Sequence, residues 1–169
     1  MRNLALDPSY RATGWAVFDD MKLEDYGVIT TSRDAAARYV MEDNIRRDTI
    51  IWRDLNQLMR FIDGDVIAEM PSGGAQSAHA AGGMARVSGI VVASCLSAGL
   101  NLIPLTASVC QKKTYGKCLK SEKKSVSIRY VTNLYPQLAG LPKYKAEHIC
   151  DAIAACLAAD SMGLVRKEK

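Results

Sequence analysis

The stretch LALDPSYRATGWAVFD, residues 4–19, contains two runs of strand character on either side of a turn. The Leu-Ala-Leu run is typical of a buried strand, and GWAVF is typical of a second one. Pro8 cannot donate to a ladder and Gly14 suits a turn, so the stretch predicts a hairpin. Asp7 ends the first strand, where a buried acid is costly unless it is paired, hydrogen-bonded or bound to a cation. Taken alone, an Asp-Pro pair is explained most simply as the start of a turn.

The rest of the chain begins with a further strand and then alternates between helical and strand patterns. The strands are predicted at residues 2–8, 13–19, 22–30, 65–70 and 101–106, and the helices at residues 35–62, 77–98, 121–135 and 146–163. Three strands in a row form a meander most naturally, and the later alternation favours crossover connections. The order predicts an α/β fold with a five-stranded mixed sheet and helices on both faces. At 169 residues, residues 1–169 are expected to form a single domain.

Positive charge is concentrated in one part of the chain. The net charge is +4, but residues 107–135 carry seven basic side chains against one acid, Glu122, which makes this segment +6 and the remainder −2. The seven basic residues are Lys112, Lys113, Lys117, Lys120, Lys123, Lys124 and Arg129. Such a stripe is typical of a protein that binds a polyanion, although a solvated helix face gives the same pattern.

The cysteines and the apolar segments exclude several other classes of protein. The five cysteines, which form no C-x-x-C pair, are Cys95, Cys110, Cys118, Cys150 and Cys156. They are expected to be reduced thiols of an intracellular protein, and two histidines make a zinc site improbable. The uncharged run between Arg86 and Lys112 is interrupted at Gly99 and Pro104, which favours a helix followed by a buried strand over a membrane span. We therefore expect a soluble protein without a signal peptide, located in the cytoplasm, or in the host cytoplasm if viral.

Four polar side chains stand at positions where chemistry is expected. Asp7 and Glu69 each end an apolar strand, and Asp151 lies three residues after His148 on a helix that is rich in Ala, Ile and Cys. Each has an ordinary structural explanation: a turn, a strand end, a helix start or a solvent-facing acid. Together, converging carboxylates would repel one another unless cations neutralise them, and oxygen ligands suit Mg²⁺ or Mn²⁺. Two such ions about 3.5–4 Å apart are used for phosphodiester displacement, which fits a polyanionic substrate.

Three segments carry a resemblance to a known family. LALDPSYRATGWAVFD, VIAEM and HICDAIAAC resemble, in the same order, the three acidic motifs of RuvC-type Holliday junction resolvases of the RNase H-like superfamily. The resemblance covers nearly the whole chain. It implies an RNase H-like fold and a metal-dependent, structure-selective endodeoxyribonuclease that acts as a homodimer on four-way DNA junctions and cuts them by paired nicks.

The resemblance also implies roles for individual residues. Catalytic groups and metal ligands are implied at Asp7, Glu69, His148 and Asp151, with two Mg²⁺ ions per site that Mn²⁺ can replace. His148 either binds metal or moves a proton, because some members have an acid at this position. The segment KKTYGKCLKSEKKSV resembles the DNA-contacting stretch of the family. The implied DNA contacts are Lys112, Lys113, Lys123 and Lys124, with Tyr10 and Arg11 in the turn after Asp7 as further candidates.

Two departures from the family pattern bear on substrate choice. Ser9 stands where the family usually has Gly, and the loop MPSGGAQSAHAAGG after Glu69 lacks the aromatic that many relatives stack on a base. Tyr10 is a candidate substitute for that ring, and weak base discrimination at the cut site is expected. The alternatives are an RNase H-like nuclease for flaps, other branched DNA or RNA–DNA hybrids, and a catalytically silent junction-binding module.

The small-residue helix at 77–98 is a candidate dimer face; packing on the sheet is the equal alternative.

Overall fold

A computed structural model of the chain describes residues 1–73, 77–119 and 121–166. The strands are β1 (Arg2–Asp7), β2 (Ala12–Asp19), β3 (Lys22–Thr30), β4 (Asp65–Glu69) and β5 (Asn101–Leu105). The α-helices are α1 (Val40–Met59), α2 (Ala78–Ala98), α3 (Ala107–Thr114), α4 (Lys123–Leu134) and α5 (Lys143–Ser161). Lys120 and part of the loop after β4, residues 74–76, lie outside the described residues.

The sheet has the strand order β3-β2-β1-β4-β5. β1, β2 and β3 pair antiparallel as a meander, whereas β4 and β5 join β1 through parallel pairings. The parallel pairings follow from the helical crossovers α1 and α2, since parallel neighbours need a long connection. The predicted five-stranded mixed sheet is therefore confirmed.

The two faces of the sheet are covered by different helices. Leu4 and Leu6 of β1 pack into a cluster with α1 and α2, while Ala5 between them packs into a second cluster with α3, α4 and α5. β4 alternates in the same way, with Ile67 on the α5 side. Because side chains alternate with a period of two along a strand, Asp7 and Glu69 belong to the α5 side as well. The predicted helices on both faces are confirmed.

The helices differ at several points from those expected from the sequence. α1 begins at Val40 rather than at residue 35, because residues 31–39 form turns that are hydrogen-bonded to the first turns of the helix. α3 was not predicted; Thr106 caps it by accepting a hydrogen bond from the Val109 amide. α5 begins at Lys143, directly after Pro142, which occupies the N-cap position. α1 also ends at Met59, three residues before the predicted end at residue 62, and the remaining boundaries agree to within two residues.

α2 is long and apolar enough, by length and composition, to cross a membrane. In the structure it ends at Gly99, which adopts a left-handed conformation with φ 68°, and the chain continues into β5. Val87, Val91 and Cys95 of α2 are buried in the cluster shared with α1. The expected succession of a helix and a strand across this segment is therefore observed.

Candidate active site

Two carboxylates meet at one edge of the sheet. β1 and β4 are parallel neighbours with Leu6 opposite Ala68, and continuing this register by one residue brings Asp7 beside Glu69. Both side chains lie on the α5 side by the alternation described above. The negative charge of Asp7 acts directly on Glu69, which is consistent with this placement.

α5 adds His148 and Asp151 to the same edge. The approach of this helix depends on Gly14, which pairs with Asp7 in the β1–β2 ladder. A Cβ at Gly14 would overlap the backbone carbonyl of His148, so the helix can rest on β2 only where the strand has no side chain. The glycine of the T-G-W motif therefore sets how closely the helix approaches the carboxylates.

His148 and Asp7 are joined by a hydrogen bond. The distance from Nδ1 of His148 to Oδ2 of Asp7 is 2.8 Å, and both side chains are largely buried. This hydrogen bond is the main cause that raises the pKa of His148 above its usual value, and burial acts in the opposite direction. The pair therefore favours the protonated form of the imidazole.

Glu69 is the most perturbed acid of the site. Burial, followed by the charges of Asp7 and Asp151, raises its pKa to about 8. The thiol of Cys110, on α3, lies against the Glu69 carboxylate and acts against this rise. Cys110 itself is buried, which raises the pKa of its thiol to about 12, so the thiol is neutral and is not a nucleophile.

Asp151 has a hydroxyl partner on another helix. Ser127 of α4 donates a hydrogen bond of 2.9 Å to Oδ1 of Asp151. Burial, followed by the Asp7 charge, raises the pKa of Asp151 to about 6. Tyr115 lies beside this pair, and burial together with the Asp151 charge raises its pKa to about 12. Ser127 thus links the lysine-bearing helix to the acid.

The predicted lysines fall into two groups. Lys123 and Lys124, at the start of α4, are close enough to the carboxylates to lower the pKa of Glu69 and Asp151 respectively. Lys124 also forms a 2.6 Å ion pair with Glu147 of α5. Lys112 and Lys113 are exposed in the last turn of α3, and within the described part of the chain they contact none of the site acids.

A cleft of about 1360 Å³ opens beside Asp7 and Glu69. Its walls are the turn after β1, residues 31–39, and the start of α2. Arg11 is exposed in this cleft, whereas the side chain of Tyr10 is fixed by contacts with α1. The Arg47 guanidinium lies 4.0 Å from the centre of the Tyr10 ring, and the Tyr10 hydroxyl donates to the Asn44 carbonyl at 3.1 Å.

The donor set matches a hard divalent cation in its chemistry. Asp7, Glu69 and Asp151 offer carboxylate oxygens, and burial together with their mutual repulsion raises the pKa of Glu69 and Asp151, as expected where a cation would neutralise them. Across residues 1–73, 77–119 and 121–166, no three His, Cys, Asp or Glu side chains are arranged to hold a metal ion. Asp7 Oδ2 is engaged by His148 instead.

Comparison with solved structures identifies the architecture. The chain superposes on Thermus thermophilus RuvC in complex with a Holliday junction substrate with a TM-score of 0.73 and 20% sequence identity, covering 98% of each chain. It superposes on a second structure of Thermus thermophilus RuvC with a TM-score of 0.74 and 18% identity, covering 98% of this chain and 99% of the other. The chain has a RuvC-type fold. No protein-family model and no curated protein sequence matches it.

Within this RuvC-type fold, several residues of the site were missed by sequence reasoning. Cys110, Ser127 and Arg47 hold Glu69, Asp151 and the turn after Asp7 respectively. No local motif marks Ser127, which is one serine of the run SEKKSVS. The N-cap threonine at position 106 was the available signal for α3 and hence for the burial of Cys110.

Proposed function

We propose that the chain is a divalent-metal-dependent endodeoxyribonuclease that resolves four-way (Holliday) DNA junctions by paired nicks. The observation that carries the proposal is the convergence of Asp7, Glu69 and Asp151 with His148 at one sheet edge, next to the lysines of α4. The RuvC-type fold supports it, since one solved RuvC structure with this fold holds a Holliday junction substrate.

The three carboxylates are the proposed ligands of two Mg²⁺ ions, which Mn²⁺ could replace, with His148 as a further ligand or a proton-transfer group. Bound Mg²⁺ would neutralise the developing charge on the phosphodiester and lower the pKa of the attacking water. The chain itself contributes position: Cys110 lies against Glu69, Ser127 orients Asp151, and His148 holds Asp7 through its Nδ1. The family resemblance implies 5′-phosphate and 3′-hydroxyl products.

The proposed DNA contacts extend from the carboxylates along the basic helix. Lys123 and Lys124 bind phosphates next to the scissile bond, and Lys112 and Lys113 bind phosphates further away. The loss of one such contact flattens the slope of log affinity against log salt by roughly 0.9. Replacing Lys123 and Lys124 by Gln is therefore expected to weaken binding to all junction sequences alike. An unchanged salt slope would identify them as a solvated helix face.

Paired nicks require two sites, and we propose a homodimer formed by the outer face of α2. This face carries small residues together with Val92 and Leu96, which are 40% and 75% exposed, while the inner face is buried against α1 and the sheet. Such a face permits close helix approach and buries apolar area on association. Sedimentation of the wild type and of Leu96→Lys measures this; a wild-type monomer at working concentration contradicts the dimer. We also propose a single-domain protein that acts in the cytoplasm.

The experiment that tests the function is incubation of purified protein with a synthetic mobile four-way junction, with and without Mg²⁺. We expect paired symmetric nicks only with the metal. Asp7→Asn should bind the junction in a gel shift yet not cut it, while the matched exposed change Asp25→Asn should cut normally. Preferential cutting of flaps or RNA–DNA hybrids would favour the broader nuclease, and wild-type binding without cutting in Mg²⁺ or Mn²⁺ would favour a silent junction-binding module.

Metal titration distinguishes the two proposed roles of His148, proton transfer and metal ligation. If the imidazole moves a proton, His148→Ala should lower the cleavage rate and change its pH profile at an unchanged Mg²⁺ requirement. If it is a ligand, higher Mg²⁺ should restore part of the rate. Wild-type rates at all metal concentrations would remove His148 from the site.

A further inference from the structure

The cleft beside the carboxylates contains an aromatic side chain that nothing in the protein uses. Tyr39 is 73% exposed and lines the same cleft as Asp7 and Glu69. Throughout the described part of the chain, no other side chain stacks on its ring or hydrogen-bonds to its hydroxyl. An exposed aromatic ring in a cleft leaves apolar area in contact with water and does not stabilise the fold, which suggests a binding role.

The backbone that carries Tyr39 is firmly held. Tyr39 is the N-cap of α1, and its carbonyl accepts a hydrogen bond of 3.3 Å from the Asp43 amide. The preceding turn is fixed by the Asp34 amide, which donates to Asp43 at 3.0 Å, and by Arg47, which donates to Thr31 Oγ1 at 3.0 Å. The backbone at this position therefore loses little conformational freedom when the ring binds a ligand.

The charges on this wall of the cleft favour an anionic occupant. Arg11 and Arg33 are exposed and line the cleft, and neither has an acidic partner within residues 1–73, 77–119 and 121–166. Asp43 is neutralised by Arg46 at 2.8 Å, which leaves Asp34 as the one acid of this wall without a basic partner. Two free guanidinium groups beside a free aromatic ring match a nucleotide, with its phosphate and its flat base.

We propose that Tyr39, with Arg11 and Arg33, forms a stacking subsite for an unpaired nucleotide of the DNA strand that continues past the scissile phosphate. The inference rests on the proposed function, because the cleft leads from Asp7 and Glu69 to Tyr39. Tyr10, the other ring in the cleft, is covered by Arg47 on one face and packs on Gly83 of α2, so it is the poorer platform. Selectivity for branched DNA then comes partly from its unstacked bases, without a base-specific hydrogen bond.

The test measures binding without cutting, in EDTA, by fluorescence anisotropy on three probes: a four-way junction, a single-stranded oligonucleotide of mixed sequence and a linear duplex. Tyr39→Ala is expected to weaken binding to the junction and the single strand by about 5- to 150-fold. Duplex binding should not change, because its bases are stacked already. Tyr39→Trp should restore binding. The matched control is Phe61→Ala, which removes a 67% exposed ring about 30 Å away, beyond the other end of α1.

The arginines give a separate readout. Replacing Arg11 and Arg33 by Gln should flatten the salt dependence of single-strand binding by roughly 0.7 for each lost contact, whereas Arg60→Gln should leave it unchanged. Equal binding by Tyr39→Ala and the wild type, or an equal loss in Phe61→Ala, would overturn the subsite. A wild type that cuts no junction but binds single strands through Tyr39 would retain the subsite and refute the junction nuclease. Normal junction cleavage with a Tyr39 that contributes nothing would do the reverse.

Discussion

Asp65 and Glu69 stand at the two ends of the same five-residue strand, on the same side of the sheet, and meet opposite electrostatic surroundings. Asp65 is fully buried and saturated with donors: Asn101 at 2.9 Å, the Arg166 amide at 3.0 Å and the Arg166 guanidinium at 2.8 Å. Glu69 is half-buried near Asp7 and Asp151, and burial with their repulsion raises its pKa to about 8.

The difference separates an acid that the fold neutralises from an acid that we propose for catalysis. At the edge with Asp65, the chain provides its own cation and ties the segment after α5 to the sheet. At the edge with Glu69, three acids converge, and the cations of the protein, His148 and the lysines of α4, do not saturate them. A buried charge without a full set of partners is costly, and active sites are where proteins retain such groups.

The largest effect is expected from Glu69→Gln. If Glu69 is retained for chemistry, the change should lower junction cleavage by about 10³-fold or more, since a metal supplies several kcal/mol of stabilisation at 1.36 kcal/mol per tenfold. Its melting temperature in EDTA should not fall, because the change removes repulsion. Single-turnover cleavage and thermal melting measure the two. If Glu69→Gln unfolds, Glu69 is a structural acid like Asp65, and the proposed difference between the two acids is wrong.

Arg166→Ala should show the opposite pattern. Removing the guanidinium leaves Asp65 buried with part of its partners, which is expected to lower the free energy of unfolding by about 3 kcal/mol. Cleavage by the folded enzyme well below its melting temperature should stay near the wild-type rate. Urea unfolding gives the stability, with Arg60→Ala as the exposed control. A loss of activity in folded Arg166→Ala would show that the two edges are coupled.

Asp151 lies between the two extremes, because it has one hydroxyl donor and a pKa of about 6. Ser127→Ala should lower metal affinity or cleavage by about 10- to 100-fold, as expected for a residue that orients a ligand. The rate should recover in part at higher Mg²⁺. Ser125→Ala, two residues earlier on α4 and exposed, is the matched control. A Ser127→Ala enzyme with an unchanged Mg²⁺ requirement would place this hydroxyl among the ordinary packing contacts.

The smallest effect is a pH dependence of stability in the metal-free protein. Because the folded pKa of Glu69, about 8, lies above its ordinary value of 4.5, the folded state binds more protons between these pH values. The stability this group provides is complete below about pH 4.5 and is lost as the pH rises through about 8. The pKa of Asp151 is raised in the same way, so the stability that this group provides is lost as the pH rises through about 6. In EDTA, the melting temperature of the wild type should therefore fall between pH 5 and pH 8.5, and that of Glu69→Gln should fall less. If the melting temperatures of the two proteins depend on pH identically, the proposed repulsion among the site acids is contradicted.

The positions of β1 to β5 along the chain could be predicted from the sequence, because periodicity and turn residues are local signals. The sequence also indicated the candidate acids, since Asp7 and Glu69 each end an apolar strand and His148 and Asp151 share one helix face. It missed α3, whose eight residues, ASVCQKKT, are too short and too polar to show an apolar stripe.

Which acid is neutralised and which stays without a full set of partners depends on contacts that form in the tertiary structure. The partners that settle this are distant in sequence: Arg166 is 101 residues from Asp65, and Ser127 is 24 residues from Asp151. The same holds for Tyr10, covered by Arg47, and for Tyr39, left open. Local patterns predict that a side chain lies on a face, but its partners depend on how deeply neighbouring helices pack, as at Gly14, where a missing Cβ lets α5 approach the carboxylates.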